Sequence, residues 1–180
     1  MSAKHFIRVT TWAFISAMLL ACASTDSLDM AALEQAEISN FRAPAARVLS
    51  SGQPTASQLN IASRAGVKHV ISLRTAGEDM DFDEATVVES LGMDFHSIPI
   101  AVGEGGINTA NAASLQELLA AFDGEPVLIH CATGNRVGAL MAVSSHSEGA
   151  SVEAAISEGA RWGMTSERLQ QLVRADLTSN

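Results

Sequence analysis

Val127-Leu128-Ile129-His130-Cys131-Ala132-Thr133-Gly134-Asn135-Arg136 is the stretch on which the reading of this 180-residue chain turns. Its apolar start is the short run expected of a buried strand, and it stops abruptly at His130-Cys131. A loop of small residues with one glycine follows, and from there Val137, Leu140 and Met141 recur at helical spacing. Strand, glycine loop and helix N-terminus together make an anion site. Unpaired amide N–H groups converge there, and the helix dipole adds partial positive charge. A cysteine at the mouth of such a loop should be held as a thiolate near neutral pH, ready to act as a nucleophile. Arg136, five positions on, can fold a planar fork over the same anion and is expected on the solvent-facing side of the loop. The pattern implies a thiolate enzyme acting on a tetrahedral oxyanion. The alternative is a buried, inert cysteine ahead of an ordinary strand-to-helix turn.

The flanking sequence gives this loop a setting. Upstream, Arg47 to Ser50 reads as a short strand and Ser51-Gly52-Gln53-Pro54 as a turn. Thr55-Ala56-Ser57-Gln58 matches a capping box opening a helix that ends at Gly66. Val67 to Leu73 is a buried strand ending at Arg74, followed by a polar loop from Thr75 to Asp83, whose acids helix capping largely explains. A helix with Val87, Val88 and Leu91 on one side stops at Gly92. Phe95 to Ile100 is a further strand, broken by Pro99. The glycine-rich loop Ala101 to Asn108 leads to an amphipathic helix carrying Leu115, Leu118, Leu119 and Phe122. Asp123-Gly124-Glu125-Pro126 then turns the chain into the central strand. Two more helices are expected near Ser151 to Arg161 and Thr165 to Arg174. Strands alternating with helices predict an α/β fold, with a mainly parallel central sheet and helices on both faces. Ligands in such sheets sit at the carboxyl ends of the strands, where Cys131 lies.

The first residues read as targeting. Lys4 and Arg8 precede a short apolar core from Trp12 to Leu20, too short for a stable membrane span, and Leu19-Leu20-Ala21-Cys22 ends it. Small residues before a cysteine resemble a bacterial lipobox, which makes Cys22 the expected acylated residue. An ordinary signal peptide with a nearby cysteine is the alternative. The expected organisation is a signal peptide over 1–21, a tether over 22–46 with one short helical stretch near Met30 to Ile38, and one compact domain over 47–180. Ala23 rather than an acid after Cys22 resembles lipoproteins sorted to the outer membrane, facing the periplasm. Loss of residues 1–21 removes two cations and no acid, so the formal charge of −9 becomes −11. A chain this acidic is not expected to bind nucleic acid, and any anionic substrate must be held by local geometry. With Cys22 acylated, Cys131 has no disulfide partner, and a lone thiol in an oxidising compartment suggests chemistry. His69 and His96, on expected strands, read as satisfied structural residues, and with Cys131 they lack metal-ligand spacing. Neither a metal nor a cofactor is expected. Trp162 reads as core.

Several of these features bear a family resemblance. Ser51-Gly52-Gln53-Pro54, the strand Val70-Ile71-Ser72-Leu73-Arg74 with Glu78 after it, the strand end Ile98-Pro99-Ile100 and His130-Cys131-x-x-Gly134-x-Arg136 occur in order. From Arg47 to about Val143 the chain resembles the phosphatase-like domain of the beta-lactamase-hydrolase-like family, a bacterial relative of the dual-specificity protein tyrosine phosphatases. The resemblance implies a protein tyrosine phosphatase-like fold of the dual-specificity type, and hydrolysis of phosphomonoesters through a Cys131 phosphocysteine. It implies that Arg136 clamps phosphate, that His130 orders the loop and helps keep the thiolate, and that Ala132, Thr133, Gly134 and Asn135 supply the oxyanion-binding loop. The substrate would be a phosphorylated small molecule or protein. Two departures stand out. Tyrosine phosphatases place five residues between cysteine and arginine, with Ser or Thr after the arginine; here there are four, and Val137 follows. Thr133 is the available substitute for that hydroxyl. The shorter loop matches rhodanese-type sulfurtransferases, so sulfur transfer through a Cys131 persulfide stays open, as does an inactive, membrane-tethered anion-binding module. Where related phosphatases carry an acidic residue after the Ile98-Pro99-Ile100 strand this chain has Val102, which leaves Glu104 as the candidate general acid, or else a solvated loop carboxylate.

Overall fold

The computed structural model describes residues 27–78, 81–103 and 105–179; the expected signal segment with Cys22, and also Glu104, lie outside these. The chain forms α1 (Met30–Gln35), β1 (Arg42–Ala45), β2 (Val48–Ser51), α2 (Ala56–Arg64), β3 (His69–Ser72) and α3 (Glu84–Ser90). β4 (Asp94–Ser97), α4 (Thr109–Ala121), β5 (Val127–His130), α5 (Asn135–Ser147), α6 (Val152–Arg161) and α7 (Glu167–Ser179) complete it. The strands form one sheet in the order β1-β2-β5-β3-β4, parallel throughout except for β1. Every residue of β3 and β5 is buried, as their near-continuous apolar sequences require of strands covered on both faces. The α/β reading of the sequence holds.

Alternation along β5 assigns the two faces. Val127, Ile129 and Cys131 join the apolar cluster under α4 to α7, whereas Leu128 joins the smaller cluster under α1 to α3. Leu128 and Ile129 are fully buried, each contributing roughly 1.5–3 kcal/mol from area removed from water. Register across the centre aligns Ser51, His130 and Ser72, so the carboxyl ends of β2, β5 and β3 finish level. The loop after β5 therefore emerges between two neighbouring strand ends.

Helix starts follow the expected chemistry. Thr55 and Gln58 make both bonds of the capping box on α2, and Asp83 accepts from the Thr86 amide at the head of α3. α5 differs from its expected amphipathic form, being buried from Arg136 to Ser144 without a break. It runs through the core because Gly138 lets α6 approach: a Cβ there would stand 2.3 Å from the Gly159 carbonyl.

Three boundaries move. Within the expected tether over 22–46, α1 falls in the short helical stretch expected near Met30 to Ile38 and buries Leu33 fully, whereas β1 is additional and pairs antiparallel with β2. Composition gave β1 no signal; the segment packs through buried Leu33 and Ile38, with Leu28, Met30 and Phe41 partly buried. β4 stops at Ser97, before Pro99, which cannot donate to a ladder. α7 runs on to Ser179 rather than stopping near Arg174, because Leu169, Val173 and Leu177 keep one buried stripe.

Candidate active site

Cys131 follows the last residue of β5 and lies on the α4–α7 side of the sheet, 1% exposed. Gly134 takes a left-handed conformation with φ 83°, turning the chain into α5, and its N–H donates to Cys131 Sγ at 3.1 Å. α5 has no side-chain cap, and no acceptor among the described residues takes the N–H groups of Asn135 and Arg136. The first turn thus keeps open donors and the positive end of the helix dipole beside the thiol.

Arg136 departs from its expected solvent-facing position. It is 7% exposed, because α5 is enclosed from its first turn and leaves the side chain only the ends of β3 and β4 to reach. Glu78 takes its fork: Nη1 donates to Oε1 at 2.6 Å and Nη2 to Oε2 at 2.5 Å. Nη1 also donates to the carbonyls of Leu73 at 3.1 Å and Ile100 at 3.0 Å. Burial opposes the charge of Arg136, but the Glu78 carboxylate and the nearby Cys131 sulfur outweigh it and raise the guanidinium above its ordinary value. Reciprocally, the hydrogen bonds from Arg136 outweigh burial and hold the Glu78 carboxyl down from 4.5 to about 2, helped by the Thr75 amide. Glu78 occurred in the sequence only as a residue after a strand. Its partner is 58 positions away, so the pairing had no local signal.

His130 and Cys131 part company. His130 Nε2 stands 3.1 Å from Glu84 Oε1, within ion-pair distance but off the axis of a good hydrogen bond. Gln53 Nε2 donates to the same Glu84 oxygen at 2.7 Å, and Arg74 Nη1 donates to Gln53 Oε1 at 2.8 Å. This buried polar chain lies on the α1–α3 side of the sheet, so His130 bears on the loop through the backbone and not by touching the thiol. Its own carbonyl accepts from Leu73 N–H at 2.9 Å.

The loop is also held from behind. Asn40 Nδ2 donates to the carbonyls of Thr133 and Gly163, both at 2.8 Å. A Cβ on Gly134 would come within 2.6 Å of that nitrogen, a second reason for glycine there. Gln53 N–H donates to the Ala132 carbonyl at 3.2 Å, which shows what the Ser51-Gly52-Gln53-Pro54 turn does. Asn135 Oδ1 accepts from the Ser166 amide at 2.8 Å, tying the loop to the start of α7, while its Nδ2 donates to Thr133 Oγ1 at 3.1 Å. Ala132 and Thr133 remain exposed. Thr133, Asn135 and Arg136 form one wall of a cavity of about 550 Å³, and Val102 sits at its edge. His69 and His96 lie apart from this site, His69 stacked on Phe122 at 3.9 Å and paired with Glu125. Trp162 is buried, its indole N–H donating to Glu158.

No family model and no curated protein matches the sequence. Solved structures do. A candidate phosphatase from Shewanella putrefaciens superposes with a TM-score of 0.61 at 21% identity, over 83% of this chain and 97% of the other. One from Neisseria meningitidis gives 0.62 at 21% identity, over 74% and 96%. TpbA from P. aeruginosa, solved with phosphotyrosine, gives 0.56 at 23% identity, over 76% and 83%. The chain has the fold of these protein tyrosine phosphatase-like proteins.

Proposed function

We propose that the chain is a cysteine-dependent phosphatase that hydrolyses phosphomonoesters through a phosphocysteine on Cys131. One observation carries the reading: the Gly134 amide donates to the Cys131 sulfur, and the Arg136 guanidinium, whose fork Glu78 already holds, is close enough to feel that sulfur's charge. With Glu78 and two carbonyls satisfied, the Arg136 Nε–H and the second Nη2 hydrogen are the donors left for a ligand. In the first step the thiolate attacks phosphorus as the P–O ester bond breaks. Loop amides and that guanidinium edge hold the equatorial oxygens, and the leaving oxygen takes a proton from Glu104 or water. Water then attacks phosphorus, the P–S bond breaks, and the thiolate is regenerated with inorganic phosphate. Val137 is fully buried and offers no hydroxyl for that departure. Thr133 fits the need, since its oxygen accepts from Asn135 and its own hydrogen stays free to donate.

The four-residue spacing and the depth of the thiol favour sulfur transfer as the second reading, since a sulfane sulfur needs less room than a phosphoryl group. Parallel assays of phosphomonoester hydrolysis and thiosulfate:cyanide sulfur transfer separate the two. The expected result is hydrolysis that disappears in Cys131→Ser while tungstate binding persists. Sulfur transfer alone would overturn the assignment, and tungstate binding with neither activity would indicate an inactive anion-binding module.

The same proposal places the protein in the bacterial cell envelope, lipid-anchored through Cys22 to the outer membrane and facing the periplasm. The support is the sequence Leu19-Leu20-Ala21-Cys22 after a short apolar core. Cys22→Ser should release the protein from the membrane fraction, and mass spectrometry of the parent should find an acylated N-terminal cysteine. An unmodified chain starting elsewhere would remove the anchor.

A further inference from the structure

The cavity beside the loop has a second wall that the hydrolytic reading does not use. Among the described residues only two large apolar side chains are strongly exposed, Val102 at 48% and Leu172 at 56%. Single exposed apolar residues need no explanation, but these two border the same cavity as Arg136. Leu172 lies outside the buried stripe of Leu169, Val173 and Leu177, so packing of α7 does not account for it. Val102 and Leu172 also border an adjoining cavity of about 250 Å³, which continues the apolar surface past Ile107 and Val173 and includes the acid Asp176. The result is an apolar trough that starts at the oxyanion loop and leads away from it.

Arg168 stands at the head of this trough. It is exposed and lines the larger cavity, and no described residue pairs with it. It occupies the first turn of α7, where the helix dipole disfavours a cation. Nothing in local helix chemistry explains an arginine there. Its place relative to the loop is fixed, because the Ser166 amide donates to Asn135. The two cavity-lining arginines thus differ in kind: Glu78 saturates the fork of one, and the other has both edges open.

We infer that Val102, Leu172 and Arg168 form a specificity subsite for the ester group of the substrate, which is an apolar body bearing its own anionic substituent. The inference rests on the phosphatase reading for its chemistry, while its geometry is independent of turnover. An apolar group lies along the trough once its phosphate is in the loop, and Arg168 pairs with a carboxylate or second phosphate carried beside it. In a protein with a formal charge of −9, an unpaired cation at this point favours a dianionic over a singly substituted ligand.

The test uses phenyl phosphate, 2-naphthyl phosphate and 6-carboxy-2-naphthyl phosphate, whose leaving groups are all aryl oxygens. Hydrolysis is measured with the parent, and affinity is measured calorimetrically with Cys131→Ser, which ranks the ligands without chemistry. Naphthyl should exceed phenyl about tenfold, the scale of a few buried carbons. The carboxylate should add a further factor of up to about five, the range of a partly exposed charge pair. Adding Leu172→Asn should collapse the naphthyl preference, and Arg168→Gln the carboxylate preference, each without moving the melting temperature. If none of the three esters is hydrolysed, nor p-nitrophenyl phosphate, the phosphatase reading fails, and the affinity ranking still decides the subsite. Equal affinities for the three ligands, or ratios that survive both substitutions, would overturn it.

Discussion

The seat of the loop after β5 and the rim of the cavity beside it are built on opposite rules. In the seat, Arg136 is buried and its fork is filled by Glu78, with two carbonyls behind. At the rim, Arg168 is exposed with no partner among the described residues, and two large apolar side chains face solvent beside it. The seat has little freedom left to lose when a transition state forms, which is the condition for electrostatic preorganisation. The rim has its interactions still to make, which is the condition for selecting a ligand. Substitutions in the seat should therefore change turnover and stability together, and substitutions at the rim should change affinity alone.

The largest effect that could break this contrast belongs to Arg136→Lys. Lysine supplies a point charge and cannot span both Glu78 oxygens, so the donors facing Cys131 lose their orientation. Turnover of phosphomonoesters should fall by roughly two orders of magnitude or more, the scale of one oriented oxyanion donor. Stability should fall too, by about 1.5–3 kcal/mol, the range for a lost hydrogen bond to a charged group. Denaturant melts and steady-state kinetics check both. Near-full activity, or full stability, would show that the seat is not preorganised by this pair.

A smaller effect is expected from Glu78→Gln, which keeps the shape and removes the charge. Turnover should drop about tenfold, since Arg136 keeps its two carbonyl acceptors but loses its counterion. The pH dependence offers a separate check. The Glu78 carboxyl is depressed from 4.5 to about 2, so its stabilising contribution is complete above pH 4.5 and is lost as the pH falls toward 2. Chemical denaturation across that window should show a fall in stability that Glu78→Gln lacks. Identical acid profiles would mean that the pair does not stabilise the fold.

How far the sequence disclosed this contrast depends on the range of the interactions. The strand Val127 to His130, the capping box at Thr55 and the glycine loop before α5 are local features, and each stands where its residues predicted. The parallel sheet followed from two apolar runs and the helices between them. Glu78 with Arg136 and His130 with Glu84 are pairs made by topology, joining residues that no periodicity connects. Arg136 was misplaced for a related reason. An arginine after a glycine loop reads as exposed, and only the enclosure of α5 by its neighbours turns it inward. Val102 was noticed for the acid it replaces, whereas its exposure beside Leu172 and Arg168 required the fold.

The smallest effect expected in the seat tests whether it is held from behind as firmly as from within. Asn40 lies in the segment whose composition suggested a tether, yet its side-chain amide bonds two carbonyls that are otherwise far apart in sequence, those of Thr133 and Gly163. One belongs to the loop after β5 and the other to the turn after α6. Asn40→Ala removes both donors, but Thr133 is exposed, so water can replace at least one of the bonds. The stability cost should therefore be about 1 kcal/mol, the net worth of an ordinary hydrogen bond. The effect on turnover should be a few-fold, because Gly134, Gln53 and Asn135 still hold the loop from other sides. It should appear in kcat and leave KM for phenyl phosphate nearly constant, since a looser loop impairs the transition state more than the bound ester. A change confined to KM would move Asn40 from the seat to the rim, and the boundary between the two regions would have to be redrawn.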